Sequence, residues 1–209
     1  MSSFIGHGLS GVISKQCIKT RLSPRKERWL LFLSVFLAIL PDLDVLVFMA
    51  LKPAGMVPHR GFSHTLLFIT AAATFVLAVT YKIFPISRIR LFFVYFCPLF
   101  AHLALDYLMG AGPPVRFFAP VINTGFLSPV KLVPCAFYST TFGGLLGLLT
   151  HGPTRLGFVL EILIFAPVIA FLGVSGESEE TRSIKTRSLA VSALALLATF
   201  YLYNFVVTF

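Results

Sequence analysis

This sequence predicts an all-α fold, a polytopic bundle of membrane-spanning helices, and three observations carry that prediction. Hydrophobic residues make up 57% of the 209 positions and charged residues 12%, whereas a soluble domain carries about 25% charged residues. The mean hydropathy is +0.90. The apolar residues gather in windows of roughly 20, the length a helix needs to cross the hydrocarbon of a bilayer. A chain of this size makes one compact unit, so residues 1–209 are expected to form a single membrane-embedded domain. Its motif-bearing core covers about 1–120, with C-terminal helices at about 130–209.

The elements follow in order. Residues 4–18, "FIGHGLSGVISKQCI", are apolar but short for a full crossing, and predict a tilted or interfacial N-terminal helical segment. A basic connection follows, with Lys15, Lys19, Arg21, Arg25, Lys26 and Arg28. Residues 29–51, "WLLFLSVFLAILPDLDVLVFMAL", are the first span, interrupted at Pro41. Residues 65–84 and 91–109 give two more. The segment 110–129, rich in glycine, proline and aromatic residues, reads as a re-entrant or interfacial loop over the end of the preceding span. Apolar windows at 130–149, 156–173 and 189–209 complete the bundle. The hydrophilic linker "SGESEETRSIKTRS" separates the last two. Five to six spans are expected, plus the N-terminal segment.

The net charge of +9 does not indicate nucleic acid, because the basic residues lie between apolar runs and no nucleic-acid motif accompanies them. Cys17, Cys97 and Cys135 have no metal or disulfide spacing and read as packing residues. The N-terminus lacks the basic-apolar-cleavage order of a signal peptide. Lys/Arg bias puts the 15–28 cluster in the cytoplasm, together with Lys82, Arg88 and Arg90. Asp42, Asp44, His59, His64, His102 and Asp106 then all fall toward the outer side, and His7 joins them if the first segment runs inward.

That convergence singles out a candidate site. His102 and Asp106, four apart in "HLALD", share one face of a helix. Asp42 and Asp44 in "PDLD" repel each other at the end of an apolar run, and a cation relieves both the repulsion and the burial. A turn cap is the simpler alternative for one of them. In "HRGFSHT", His59 belongs to a loop and His64 to a helix start, with Ser63 as the expected cap. Arg60 suits a carboxylate or phosphate oxygen through its planar fork. Gly6 and Gly8 beside His7 allow close approach of other helices. The set uses four of the five histidines and three of the eight acidic residues. One metal cluster explains them together, where separate packing roles would each need their own cause. His151 falls on the opposite side, and Glu161 reads as a structural, snorkelling residue.

Taken in order, His7, "PDLD" (41–44), "HRGFSHT" (59–65) and "HLALD" (102–106) resemble the YdjM-like family of bacterial and archaeal inner-membrane proteins, described as metal-dependent hydrolases. The resemblance covers roughly the first 120 residues. Ser63 and Thr65 exchange the family's usual hydroxyl residues, and Met109 stands where it usually has threonine. More distantly, the order of ligands is similar to the zinc-dependent phospholipase C and P1-type nuclease group. The resemblance implies a metal-dependent hydrolase of the inner membrane, acting on a phosphoester in a phosphate-bearing lipid or isoprenoid substrate. It also implies one to three divalent ions, zinc first, with manganese or iron as alternatives. His7, Asp42, Asp44, His59, His64, His102 and Asp106 would be the metal ligands, and Asp42, Asp44 and Arg60 the catalytic residues. A metal or ion transporter and a non-catalytic, metal-stabilised membrane protein are the rival readings.

Overall fold

Residues 3–51, 59–134, 147, 150–174 and 178–206 are described by the computed structural model. Cys135, Lys52 and most of the 130–149 window lie outside them. Among the described residues every regular element is helical, as expected where lipid offers backbone groups no partners. One isolated antiparallel bridge pairs Val115 with Phe126.

Helix α1 is Phe4–Cys17, α2 Pro24–Ile39, α3 Leu43–Leu51, α4 Leu66–Thr80, α5 Arg88–Leu108, α6 Gly152–Gly173 and α7 Glu179–Tyr201. A tight turn at Leu40–Asp42 joins α2 to α3, where Pro41 withholds a backbone donor. Four stretches are long and apolar enough to cross a membrane: Pro24–Leu51, Arg88–Leu108, Gly152–Gly173 and Glu179–Val206. Helix α4 is apolar but shorter, because the chain turns at residues 81–84 before Pro85. Its length of about 22 Å falls short of a hydrocarbon layer of about 30 Å.

The helix ends sort by charge. Lys15 pairs with Glu27, and Lys26 and Trp29 line one surface pocket together with Thr80, Ile83 and Phe84. Lys185 sits over the Phe171 ring at the far end of α6. The basic 15–28 segment, the α4–α5 turn and the start of α7 therefore share one end of the bundle. Between that end and the other, Leu30, Leu37, Ile69, Leu91, Val94, Tyr95 and Leu99 form a buried apolar core.

Two contacts seat α1. A Cβ at Gly11 would lie 2.9 Å from the Ser34 carbonyl oxygen, the Val35 Cα and the Ala38 Cβ, so only glycine permits this crossing with α2. The Ser34 hydroxyl donates to the Gly11 carbonyl at 2.9 Å. Gly8, which the sequence suggested for this purpose, has ordinary spacing to Val35 and Ile39. The second contact corrects the reading of Glu161, which is buried rather than snorkelling. Its carboxylate accepts from the backbone N–H of Ser3 (2.7 Å) and Gly6 (3.2 Å) and from the Ser3 hydroxyl. A carboxylate on α6 thus caps the N-terminus of α1, where the helix dipole favours negative charge.

Candidate metal centre

At the end opposite the basic segments, α1, the α2–α3 turn, the 59–64 segment and α5 bring seven side chains together. His7, Asp42, His59, His64, His102 and Asp106 are fully buried, and Asp44 is 8% exposed. His7 reaches the site from α1 and stacks on His102, ring centroids 3.7 Å apart. His102 and Asp106 project from one face of α5, as their spacing requires.

The separations have the scale of a coordination shell. His64 Nε2 lies 3.1 Å from His102 Nε2, and both nitrogens lie 3.4 Å from Asp42 Oδ1. Asp106 Oδ2 is 3.4 Å from His64 Nε2 and 3.9 Å from His102 Nε2. Ligands about 2.0–2.1 Å from a tetrahedral ion are separated by about 3.3 Å. His7 Nε2 adds contacts of 3.7 Å to Asp42 Oδ2 and 3.6 Å to Asp106 Oδ1. Two overlapping groups could each hold an ion, with donor atoms all within 4.8 Å of one another: His7, Asp42, His102 and Asp106, and Asp42, His59, His64 and Asp106. Asp42 and Asp106 belong to both.

Three further features fit a cation. Both oxygens of Asp42, Oδ1 of Asp106 and both ring nitrogens of His7 are buried without a hydrogen-bond partner among the described residues. Such groups are costly to bury unless something compensates them. Three carboxylates face one guanidinium, leaving an excess of two negative charges with neutral imidazoles, which one divalent ion balances. The Ala38 carbonyl lies 2.7 Å from His102 Nδ1 and accepts a hydrogen bond from its N–H, which leaves the lone pair on Nε2, facing the cluster. Without an ion, burial lowers the pKa of His64, but hydrogen bonds to Asp106, Asp42 and Asp44 outweigh it and hold the ring well above the usual imidazole range, so that a proton on His64 supplies part of the positive charge an ion would bring in its place. Burial prevails at His59, which stays below that range despite Asp44.

Asp44 and Arg60 take places of their own. Asp44 Oδ1 lies 3.2 Å from His59 Nδ1, and its Oδ2 accepts from the Ser63 hydroxyl at 2.8 Å and lies 3.3 Å from His64 Nδ1. Ser63 is therefore a partner of the cluster and not the helix cap. Thr65 caps α4 instead, accepting from Phe68 N–H at 3.1 Å. Arg60 is 2% exposed and its backbone φ is +59°, a left-handed conformation uncommon outside glycine. Its Nε donates to Asp106 Oδ2 at 2.9 Å, and one terminal nitrogen donates to the carbonyls of Ala111 (3.0 Å) and Pro113 (2.5 Å). The side chain thus fastens Asp106 to the 110–129 loop, and Leu66 N–H donating to the Phe117 carbonyl at 2.8 Å pins the same loop from α4. Met109 packs against Leu160 and Tyr203 and so joins the C-terminal helices to this corner.

His151 stands apart, at the start of α6 near Thr154. Beside Asp44 a cavity of about 800 Å³ is lined by Asp44, Gly61, Phe62 and Ser63, by Leu40, Leu43, Val47 and Phe68, and by Arg116, Ala119, Pro120 and Asn123 of the loop. Arg116 was not picked out from the sequence, and Ser63 and Glu161 were read there only as a helix cap and a snorkelling residue. Glu161 did carry a signal, as a lone carboxylate in an apolar window.

Fold and site together define a helical membrane protein whose buried histidines and aspartates could hold a metal ion. The chain belongs to the YdjM inner membrane protein family, whose model matches residues 1–206 and so reaches past the motif-bearing core into the C-terminal helices. It is similar to the inner membrane protein YbcI of Escherichia coli (strain K12), with 31% identity over 120 residues, 54% of this chain and 69% of that protein. No solved structure matches.

Proposed function

We propose that the protein is a metal-dependent hydrolase at the membrane surface, cleaving a phosphoester in a lipid-linked substrate. The observation that carries this reading is the position of Asp44. Of the seven clustered residues it alone is measurably exposed, and it also lines the adjoining cavity. A purely structural ion site needs no such opening.

Asp42 and Asp106 would be ligands common to both candidate groups, with His7 and His102 completing one and His59 and His64 the other. Zinc suits this imidazole and carboxylate set, with manganese or iron as alternatives. Such an ion, when bound, acidifies a water and polarises a phosphoryl oxygen. Asp44, held by Ser63 and His59, is placed to accept a proton at the cavity wall. Arg60 acts as a positioning residue, because its donors engage Asp106 and the loop carbonyls rather than a substrate oxygen. The site faces the outer side of the inner membrane, since the basic segments gather at the opposite end and cytoplasmic loops carry the Lys/Arg excess. Helix α4 serves as a further, shorter span, and with residues 130–149 it would bring the bundle to five or six.

The test is elemental analysis of the purified protein, followed by a panel of phosphomonoesters and phosphodiesters, water-soluble and lipid-borne, before and after chelation. Metal-dependent turnover supports the reading. Bound metal with no turnover of any ester would leave the ion a structural one.

A further inference from the structure

The cavity beside Asp44 has a composition that selects its occupant. Leu40, Leu43, Val47, Phe62 and Phe68 give it apolar walls. Asp44 and Ser63 bring it to the edge of the cluster, and Arg116 and Asn123 add polar groups from the loop. Its size, about 800 Å³, lies within the range of small-ligand sites.

We infer that this cavity seats a lipid phosphate, its anionic head engaged by Arg116 near Asp44 and Ser63, its chain lying along the Leu40–Val47 wall. The inference rests on the hydrolase reading for the fate of the head group, and names the class of substrate and the residue that selects it. Charge complementarity is the first argument. The cluster carries excess carboxylate, so a phosphate approaching Asp44 needs a cation from the protein as well as any ion. Arg60 cannot supply it, being committed to Asp106, Ala111 and Pro113. Arg116 is exposed, lines the cavity, and has no acceptor for its guanidinium among the described residues. Its planar fork matches phosphate oxygens.

The second argument is the surface around the cavity. Phe62 is 62% exposed and Val121 in the loop 89%. Val47, Phe118 and Ile122 are also exposed. Apolar side chains so disposed on a membrane protein meet acyl chains rather than water. A free phosphate would have no use for these walls, whereas a lipid could slide in from the bilayer with its head in the polar part.

Binding can be read without turnover, using a fluorescent, non-hydrolysable dialkyl phosphonate lipid added to metal-loaded protein in nanodiscs. An uncharged diacylglycerol of equal chain length and methylphosphonate in water are the control probes. Arg116→Gln is expected to weaken phosphonate-lipid binding about tenfold to a hundredfold, the scale of a charged hydrogen bond, and to leave metal content and diacylglycerol binding unchanged. Val47→Trp, which fills the apolar wall, should weaken the lipid probe at retained metal content. Equal binding of the phosphonate lipid by wild type and Arg116→Gln overturns the proposal. So does methylphosphonate competing as well as the lipid at the same concentration. Ester turnover that persists without this Arg116 dependence would sink the lipid site but keep the hydrolase. Arg116-dependent binding without turnover of any ester would do the reverse.

Discussion

Replacing Asp106 with asparagine separates a metal ligand from a structural ion-pair partner, because only the first role makes the loss of stability depend on chelation. Asp106 faces His7, His64, His59 and His102 at 3.4–3.9 Å and Arg60 at 2.9 Å. As an ion-pair partner alone, losing its charge strands a buried guanidinium, a cost of up to about 3–5 kcal/mol with or without metal. The true cost is smaller, since the amide oxygen still accepts from Arg60 Nε and the Ala111 and Pro113 carbonyls still hold its other donors. As a ligand shared by two ion positions, Asp106 has a second effect. Metal at a hundred times its Kd stabilises the folded protein by about 2.7 kcal/mol, and a hundredfold loss of affinity leaves about 0.4 kcal/mol of that. Without metal, the three carboxylates of the wild type exceed Arg60 by two negative charges, and D106N lowers that excess to one. The expected result is a variant less stable than wild type in zinc, with the gap shrinking by about 2 kcal/mol or reversing in chelator. Thermal unfolding in detergent under both conditions, with elemental analysis, measures this. An equal loss of stability in both conditions, at wild-type metal content, would refute the assignment of Asp106 as a ligand.

Other perturbations test the supports of the site. Gly11→Ala should push α1 off α2, since the added methyl meets backbone at 2.9 Å, and metal occupancy should fall with His7 displaced; a titration equal to wild type would show that His7 is dispensable. Glu161→Ala removes the acceptor for Ser3 and Gly6 N–H and is expected to cost about 2 kcal/mol, read as a lower unfolding midpoint both with and without metal. Arg60→Lys keeps the charge but cannot span Asp106 and the two loop carbonyls, so metal affinity should drop about ten- to hundredfold at unchanged helical content by circular dichroism. Single cysteines at Lys82 and Thr124, in a background lacking the native ones, should react with an impermeant reagent from opposite sides of the membrane. Labelling of both from one side would overturn the topology.

Much of the candidate site was legible because ionisable residues are rare in apolar sequence, so each one present has to be accounted for. The spacing of His102 and Asp106 sufficed to put them on one face of α5. Charge alternation along the chain sufficed to put His59, His64, Asp42 and His102 at one end. What stayed hidden depends on partners distant in sequence. Arg60 looked free because Asp106 lies 46 positions away and the carbonyls of Ala111 and Pro113 lie in a loop with no periodic signal. Glu161 looked superficial because its partners, the first N–H groups of α1, are about 155 positions away. Gly8 and Gly11 are indistinguishable in sequence, and only the register of α1 against α2 decides which one must lack a side chain. Ser63 and Thr65 could each have capped α4, and the tight turn at Phe62–His64 gave that role to Thr65.

The location of the cluster also bears on passage versus turnover. A transported ion must leave toward the basic end, and the space between is occupied by Leu30, Ile69, Leu91, Val94 and Leu99, all without solvent exposure. The polar groups of this core, such as the Tyr95 hydroxyl at 2.8 Å from Thr80 Oγ1, are paired with each other and lie at its far edge. Carrying a divalent ion through such a region without ligands is prohibitive, since even one unpaired charge is costly to bury there. Movement of α4 against α5 could open a path only by breaking the packing of Ile69 and Ala73 on the α5 face. The cavity at Asp44 needs no such rearrangement. An ion held by Asp42 and Asp106 would therefore be better placed as a resident than as cargo, which favours the proposed hydrolase over a transporter.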